Sequence, residues 1–365
     1  MTDATNTMAQ DYRINPDDGL EFGMYTLGDH LPNPLTGERI SAGERIREFV
    51  AYAEAAEEAG FDLFSVGESH QEFFASQAHA VILGAIAQAT ETIKIASTST
   101  IVSTSDPVRV YENFATIDLL SEGRAEIVAG RASRVGLFNL LGYDLRDYEE
   151  LFEEKFDLLR QINQQRVVNW SGKFRPALTG AEVLPRPQEG AMPIWRAVGG
   201  APASAIKAGM AGAPMVMAHL GGPVSSFKQT VDSYRAAAEH SGYDPTSLPV
   251  ATAGFLYVAE TPQKALQEFY PHINEGMIRT NGQGMPKQLF AQSTDPRSIM
   301  NIGSPQQVIE KILYQHEEFG HQRFLGQIDF GGVPFDRVMH NLEIIGTEII
   351  PAVKKYTARQ EVKQA

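Results

Sequence analysis

Residues 93–131 read IKIASTSTIVSTSDPVRVYENFATIDLLSEGRAEIVAGR, and the order of patterns in this stretch decides the fold. The apolar run 93–96 has the length and composition of a buried strand and ends in a Ser/Thr stretch. Asp106 then supplies an N-cap, and Pro107 occupies the first helical position, where a missing N–H costs nothing. The helical pattern continues to about Leu120, after which Ser121-Glu122-Gly123-Arg124 turns the chain into a second apolar run, 125–129. A strand, a crossover helix and a second strand predict two parallel neighbours.

The same unit recurs on both sides. Upstream, the strand at 22–27 is followed by Ser41 and Glu44 at capping-box spacing and by a helix that Gly60 stops. The strand at 63–66 leads through Gly67 to Phe74 into the apolar helix 78–88. Downstream, a helix is expected over 148–162, then strands at 194–198, 214–218, 250–258 and 323–328. Helices begin near Pro202, Val224, Thr261 and Pro334, with a further one over 304–319. Eight strands alternating with helices favour an α/β fold of the closed (β/α)8 TIM barrel type over an open doubly wound sheet. The latter also lacks its G-x-G-x-x-G, because Leu27-Gly28-Asp29-His30 stands where it belongs. Residues 1–20 are expected as a flexible arm and 356–365 as a tail. The barrel spans 21–355, with an excursion near 165–192 and a lid-like insertion near 271–301.

Composition narrows the function. The net charge of −14 opposes binding to nucleic acid or anionic membranes, and 365 residues contain no cysteine. Disulfides, thiolate metal sites and thiol nucleophiles are thereby excluded, and no H-E-x-x-H or G-x-S-x-G spacing is present. The first twenty residues do not read as a secretory signal, and no apolar run is long enough to span a bilayer, so a cytoplasmic protein is expected.

In a barrel the active face is built from the loops after the strands. Those positions are Asp29 and His30; Glu68, Ser69 and His70; Thr98 and Ser99; Arg131 and Arg134; Gly199 and Gly200; His219, Gly221 and Gly222; Gly331 and Gly332. His70, following a strand beside Glu68, is the first candidate for acid–base work, with His30 and His219 behind it. Gly199-Gly200-Ala201 has two readings. It is either a tight turn using positive φ or a phosphate cradle at a helix N-terminus, for which Arg131 supplies the fixed charge.

The chain resembles the bacterial-luciferase-like flavin-dependent monooxygenases from Phe22 to about Val353. The most specific stretch runs from Asp106-Pro107-Val108-Arg109 through 115–124 to Ala129-Gly130-Arg131. Supporting matches are Ala59-Gly60-Phe61-Asp62, Glu68-Ser69-His70, Pro185-Arg186-Pro187, Pro193-Ile194-Trp195, Gly303-Ser304-Pro305 and Gly346-Thr347-Glu348. The resemblance implies a flavoprotein oxidoreductase. Reduced FMN from a separate flavin reductase would react with O2 to a C4a-(hydro)peroxyflavin that oxygenates a small organic substrate. It implies a homodimer through the helices after strands two and three, an isoalloxazine over a non-proline cis peptide at Thr98-Ser99, and phosphate held by Arg131 and Gly199-Gly200-Ala201. It also implies that the insertion around 281–284 closes over the site.

Two positions depart from the family pattern. Ser69 stands where Glu-His-His is common, leaving Glu68 and His70 as the acid–base residues. Gly130 stands where luciferases carry a reactive cysteine, which predicts more open room and no thiol, and light emission does not follow. Relatives of the same barrel transfer hydride with F420. An F420-dependent oxidoreductase is therefore the alternative, and a non-catalytic flavin-binding protein is a third reading.

Overall fold

The computed structural model describes residues 2–132 and 136–358; Arg134, expected after the fourth strand, lies outside them. Eight parallel strands close into a barrel. They are β1 (Glu21–Thr26), β2 (Leu63–Val66), β3 (Lys94–Ser97), β4 (Ala125–Gly130), β5 (Ile194–Val198), β6 (Met215–His219), β7 (Val250–Val258) and β8 (Arg323–Gln327). Pairing runs in chain order from β1 to β8, and β8 returns to β1 with Phe22 opposite Phe324. The principal helices are α1 (Ala42–Glu58), α2 (His79–Ala89), α3 (Pro107–Leu120), α4 (Tyr148–Gln164), α5 (Pro202–Met210), α6 (Val224–His240), α7 (Pro262–Asn281), α8 (Pro305–Phe319) and α9 (Phe335–Ile344).

The expected caps form. Ser41 and Glu44 complete a capping box on α1, and the Asp106 carboxylate accepts the Val108 N–H at 2.8 Å. Side chains alternate between the two faces of each strand. Tyr25, Leu63, Ala96, Val128, Trp195, Val216, Ala253 and Leu325 fill the interior, while the larger apolar set packs between strands and helices. Among the described residues no helix is long and apolar enough to cross a membrane.

The N-terminal end of the barrel is shut by ions and by the start of the chain. Arg323 Nη1 and Nη2 donate to Glu126 at 2.6 and 3.0 Å, its Nε donates to Glu21 at 2.8 Å, and Trp195 Nε1 donates to Glu126 at 2.9 Å. Burial opposes the charge on Glu126, but Arg323 overrides it and holds the carboxyl below its ordinary value. Below this layer, residues 2–20 depart from the expected flexible arm. Thr2–Tyr12 is helical, Ile14 is fully buried, and Arg13 donates to Asp118 at 3.2 Å and to Ala125 O at 2.9 Å. Two side chains, Tyr12 and Ile14, outweigh the polar composition because the open end of the barrel offers them apolar cover.

The excursion after α4 contains an antiparallel hairpin, Val167–Trp170 with Leu178–Glu182. The insertion is more ordered than a lid-like loop: α7 runs on to Asn281, a short helix spans Lys287–Ala291, and Asn301–Gly303 pairs with the end of β7. Buried Lys311 on α8 fastens it, donating to Ile302 O at 2.9 Å, to Met300 O at 3.2 Å and to Ser293 O.

Candidate functional site

The strand order places the ends of β2, β3, β4 and β5 side by side, and with them most of the residues expected to act. Glu68 N–H donates to Ser99 O at 3.0 Å, and Thr98 Oγ1 donates to Ser65 Oγ at 2.8 Å. Gly67 is required here, since a Cβ on it would lie 2.4 Å from the Thr98 carbonyl oxygen. The Thr98–Ser99 peptide is cis, at the position the family resemblance indicates. Gly130 corrects an expectation. A Cβ there would lie 2.1 Å from Ser99 Oγ, so the space is not open; the Ser99 side chain occupies it.

On one side of this contact stands an acid–base group. Glu68 Oε1 lies 2.7 Å from His70 Nε2, and Glu68 Oε2 accepts the Ile101 N–H at 2.7 Å. Ser69 sits between them, half-buried. The sequence reading missed His79. Its Nδ1 is 3.8 Å from Glu68 Oε2 and its Nε2 is 2.8 Å from Thr100 Oγ1, and burial pushes its pKa down. The available signal was a histidine opening an otherwise apolar helix.

On the other side lies a cluster of charge. Arg131 Nη2 donates to Ser204 Oγ at 3.0 Å, its Nη1 pairs with Glu149, and the guanidinium lies 5.5 Å from the Tyr148 ring centroid. Lys207 donates to Glu149 at 2.8 Å, and Arg196 binds Glu153 with two bonds of 2.6 and 2.9 Å. The hydrogen bond from Lys207 lowers the pKa of Glu149. Gly199 and Gly200 have no positive φ, so the tight-turn reading fails. Gly200 is needed because a Cβ would meet Phe227 at 2.7 Å, whereas a Cβ on Gly199 would meet open space. Ala201 is the N-cap of α5 and gives it no side-chain hydrogen bond.

The remaining candidates are placed elsewhere. His30 is fixed by Ile40 O at 2.7 Å and Arg39 at 3.1 Å. His219 corrects its candidacy: alternation along β6 sends it out of the barrel wall against Phe227, where it is buried and its ring has no hydrogen-bond partner among the described residues. Burial pushes its pKa down to about 3. Asp29 belongs to a buried knot, accepting the Gly331 and Gly332 N–H groups at 3.0 and 3.3 Å, while Arg45 binds Asp329 at 2.7 Å. Burial, countered in part by Arg45, pushes the Asp29 carboxyl up to about 7. Gly221 and Gly222 line a separate cavity with the insertion. Among the described residues no group of three or more histidines and carboxylates is arranged to hold a metal ion.

A phosphate monoester fits the β4–β5 side. A guanidinium, a serine hydroxyl and a helix N-terminus without a side-chain cap converge there, and no atom of the described residues beyond its chain neighbours lies within 4 Å of a Cβ built on Gly199.

Comparison with known proteins supplies the family. The profile of the luciferase-like monooxygenase family matches residues 20–322. The oxygenating constituent of 3,6-diketocamphane monooxygenase from Pseudomonas putida, a Baeyer–Villiger enzyme solved in complex with FMN, superposes with a TM-score of 0.74 at 16% identity, covering 91% of this chain and 98% of that one. The N-acetyl-S-alkylcysteine monooxygenase of Bacillus subtilis is 29% identical over 52% of this chain and 56% of its own length. An F420-dependent glucose-6-phosphate dehydrogenase of Amycolatopsis mediterranei is 30% identical over 46% of this chain and 51% of its own. With a closed eight-stranded barrel and a family match over most of its length, the chain belongs to the luciferase-like monooxygenase family.

Proposed function

We propose that this chain is a monooxygenase that uses reduced FMN and O2 to oxygenate a small organic substrate. The observation that carries the reading is the unbroken run of contacts from Glu68 to Ser99, from Ser99 to Gly130, and from Arg131 to Ser204 across four neighbouring strand ends. One end of that run offers a cation and a helix N-terminus without a side-chain cap, and the other offers a carboxylate–imidazole pair. In this reading Arg131, Ser204 and the backbone of Gly199, Gly200 and Ala201 hold the phosphate, while Thr98, Ser99 and Gly130 bound the flavin ring.

When bound, reduced FMN supplies the electrons that activate O2. The chain's own residues position it and manage protons. With Nε2 of His70 on the Glu68 carboxylate, Nδ1 is the nitrogen left to take up or return a proton, and Glu68 orients the ring. Ser69 contributes a hydroxyl that donates a hydrogen bond without titrating.

The decisive experiment is anaerobic titration with reduced FMN, followed by mixing with O2 in the presence of candidate substrates. Binding together with oxygen-dependent product formation is expected. The F420 reading, supported by the 30% identical dehydrogenase, predicts instead reduction of F420 without oxygen. A non-catalytic flavin binder predicts reoxidation of bound flavin at the rate seen in free solution with every compound tried. The same proposal includes a separate flavin reductase, a cytoplasmic location, and a homodimer formed through α2 and α3, which sedimentation at micromolar concentration tests.

A further inference from the structure

Beyond the C-terminal ends of β6 and β7 lies a cavity of about 580 Å³, within the size range of small-molecule sites. One wall is the Gly221-Gly222-Pro223 loop after β6, and the opposite wall belongs to the insertion between α7 and α8. Backbone bonds join the two: Ile299 N–H donates to Gly222 O and Val224 N–H to Arg297 O, both at 3.0 Å. Lys311 fastens the insertion from behind through the carbonyls of Met300 and Ile302. The cavity is therefore built in advance of any ligand, so little ordering remains to oppose binding.

Its lining is mixed. Met285, Leu289 and Met300 provide apolar surface, and Asp295 and Arg297 provide the charges. Asp295 is already answered, since one oxygen accepts the Arg297 backbone N–H at 2.8 Å and its charge acts on the Lys311 ammonium. The Arg297 guanidinium has no ion pair among the described residues. The cavity thus holds one guanidinium without an ion pair among the described residues, in a chain whose net charge is −14. It also adjoins the phosphate loop. The Phe227 ring lies 2.7 Å from a Cβ built on Gly200 and 3.9 Å from one built on Gly222, so a single side chain separates the two places.

We propose that this cavity is the substrate site and takes a small organic monoanion, with its apolar body against Met285, Leu289 and Met300 and its carboxylate or similar group on Arg297. The word substrate rests on the flavin oxygenase reading, whereas the binding of the anion does not. Calorimetric titration of the flavin-free protein with hexanoate and phenylacetate, each matched with the neutral alcohol 1-hexanol or 2-phenylethanol, tests it directly. The acids are expected to bind roughly tenfold or more tightly than the alcohols, the range of one charge-assisted hydrogen bond. Arg297→Gln, at an exposed position, should remove that preference and leave the alcohols unchanged. Leu289→Trp, also exposed, should narrow the cavity and weaken acid and alcohol alike. Equal affinity for acid and alcohol, an acid preference that survives Arg297→Gln, no binding of any probe, or indifference to Leu289→Trp each overturns the proposal. Failure of the oxygenase reading shows differently, as loss of flavin binding or oxygen use in a protein that still prefers the acids.

Discussion

Arg131 and Ser204 meet at 3.0 Å, tying the loop after β4 to the first turn of the helix that follows β5. Seventy-three residues of sequence separate them, and the pair joins two βα loops at the place where the proposed phosphate site lies. Glu149 already engages the same guanidinium, and its side chain is 51% exposed. Under the proposed function, an incoming phosphate is expected to displace this exposed carboxylate, which would regain its hydration on leaving.

Arg131→Ala is expected to weaken FMN binding by about 1.5–3 kcal/mol, the range for hydrogen bonds to charged groups, while leaving riboflavin binding nearly unchanged. Fluorescence titration with both flavins makes the comparison, and equal losses for the two would remove the phosphate role.

Gly130→Ala places a methyl group against Ser99, where a Cβ lies 2.1 Å from Oγ. Overpacking of this kind costs roughly 1–3 kcal/mol. Combining it with Ser99→Gly should recover part of that loss, and a denaturant-based double-mutant cycle reads the coupling.

The acid–base assignment predicts that His70→Asn and Glu68→Gln lower turnover by about 10²–10⁴-fold, the usual share of a positioned acid or base. Affinity for reduced FMN should stay within a factor of about two if these residues handle protons and not the phosphate.

His219 sets a pH dependence of stability. Its pKa is pushed down to about 3 in the folded chain and returns to about 6.5 on unfolding. As pH falls below 6.5 the unfolded state takes up the proton first, so stability drains away between 6.5 and 3, by at most about 5 kcal/mol. His321 is shifted in the same direction by burial and adds to the effect. Replacing His219 with Phe should flatten this limb in urea titrations carried out from pH 7 to pH 4.

Lys311→Met removes the ammonium that gathers three carbonyls. A loss of about 2–4 kcal/mol is expected from leaving buried acceptors unpaired. Hydrogen exchange should quicken first across 292–303, and uniform quickening over the whole barrel would contradict a local fastening.

The eight barrel strands were legible because their apolar runs are short and sharply punctuated. The expected run 93–96 and the observed Lys94–Ser97 differ by one residue. The outward direction of His219 was also legible in principle: Met215, Met217 and His219 share one face of β6 and Val216 and Ala218 the other. What sequence withholds is the partner across a long separation. Arg45 meets Asp329 after 284 residues, and nothing in either local stretch announces the other. Gly130 shows a related limit, since sequence reveals the missing side chain but not that Ser99 fills the space.

The ionic layer shared by Glu21, Glu126 and Arg323 has a consequence for synthesis. Arg323 reaches back 302 residues to Glu21, so Glu21 and Glu126 wait for their guanidinium until nearly the whole chain has left the ribosome. Until then β1 exposes an unpaired edge, the condition that favours wrong pairing and aggregation. Nascent chains truncated before Arg323 should consequently engage chaperones, and release should coincide with the emergence of β8.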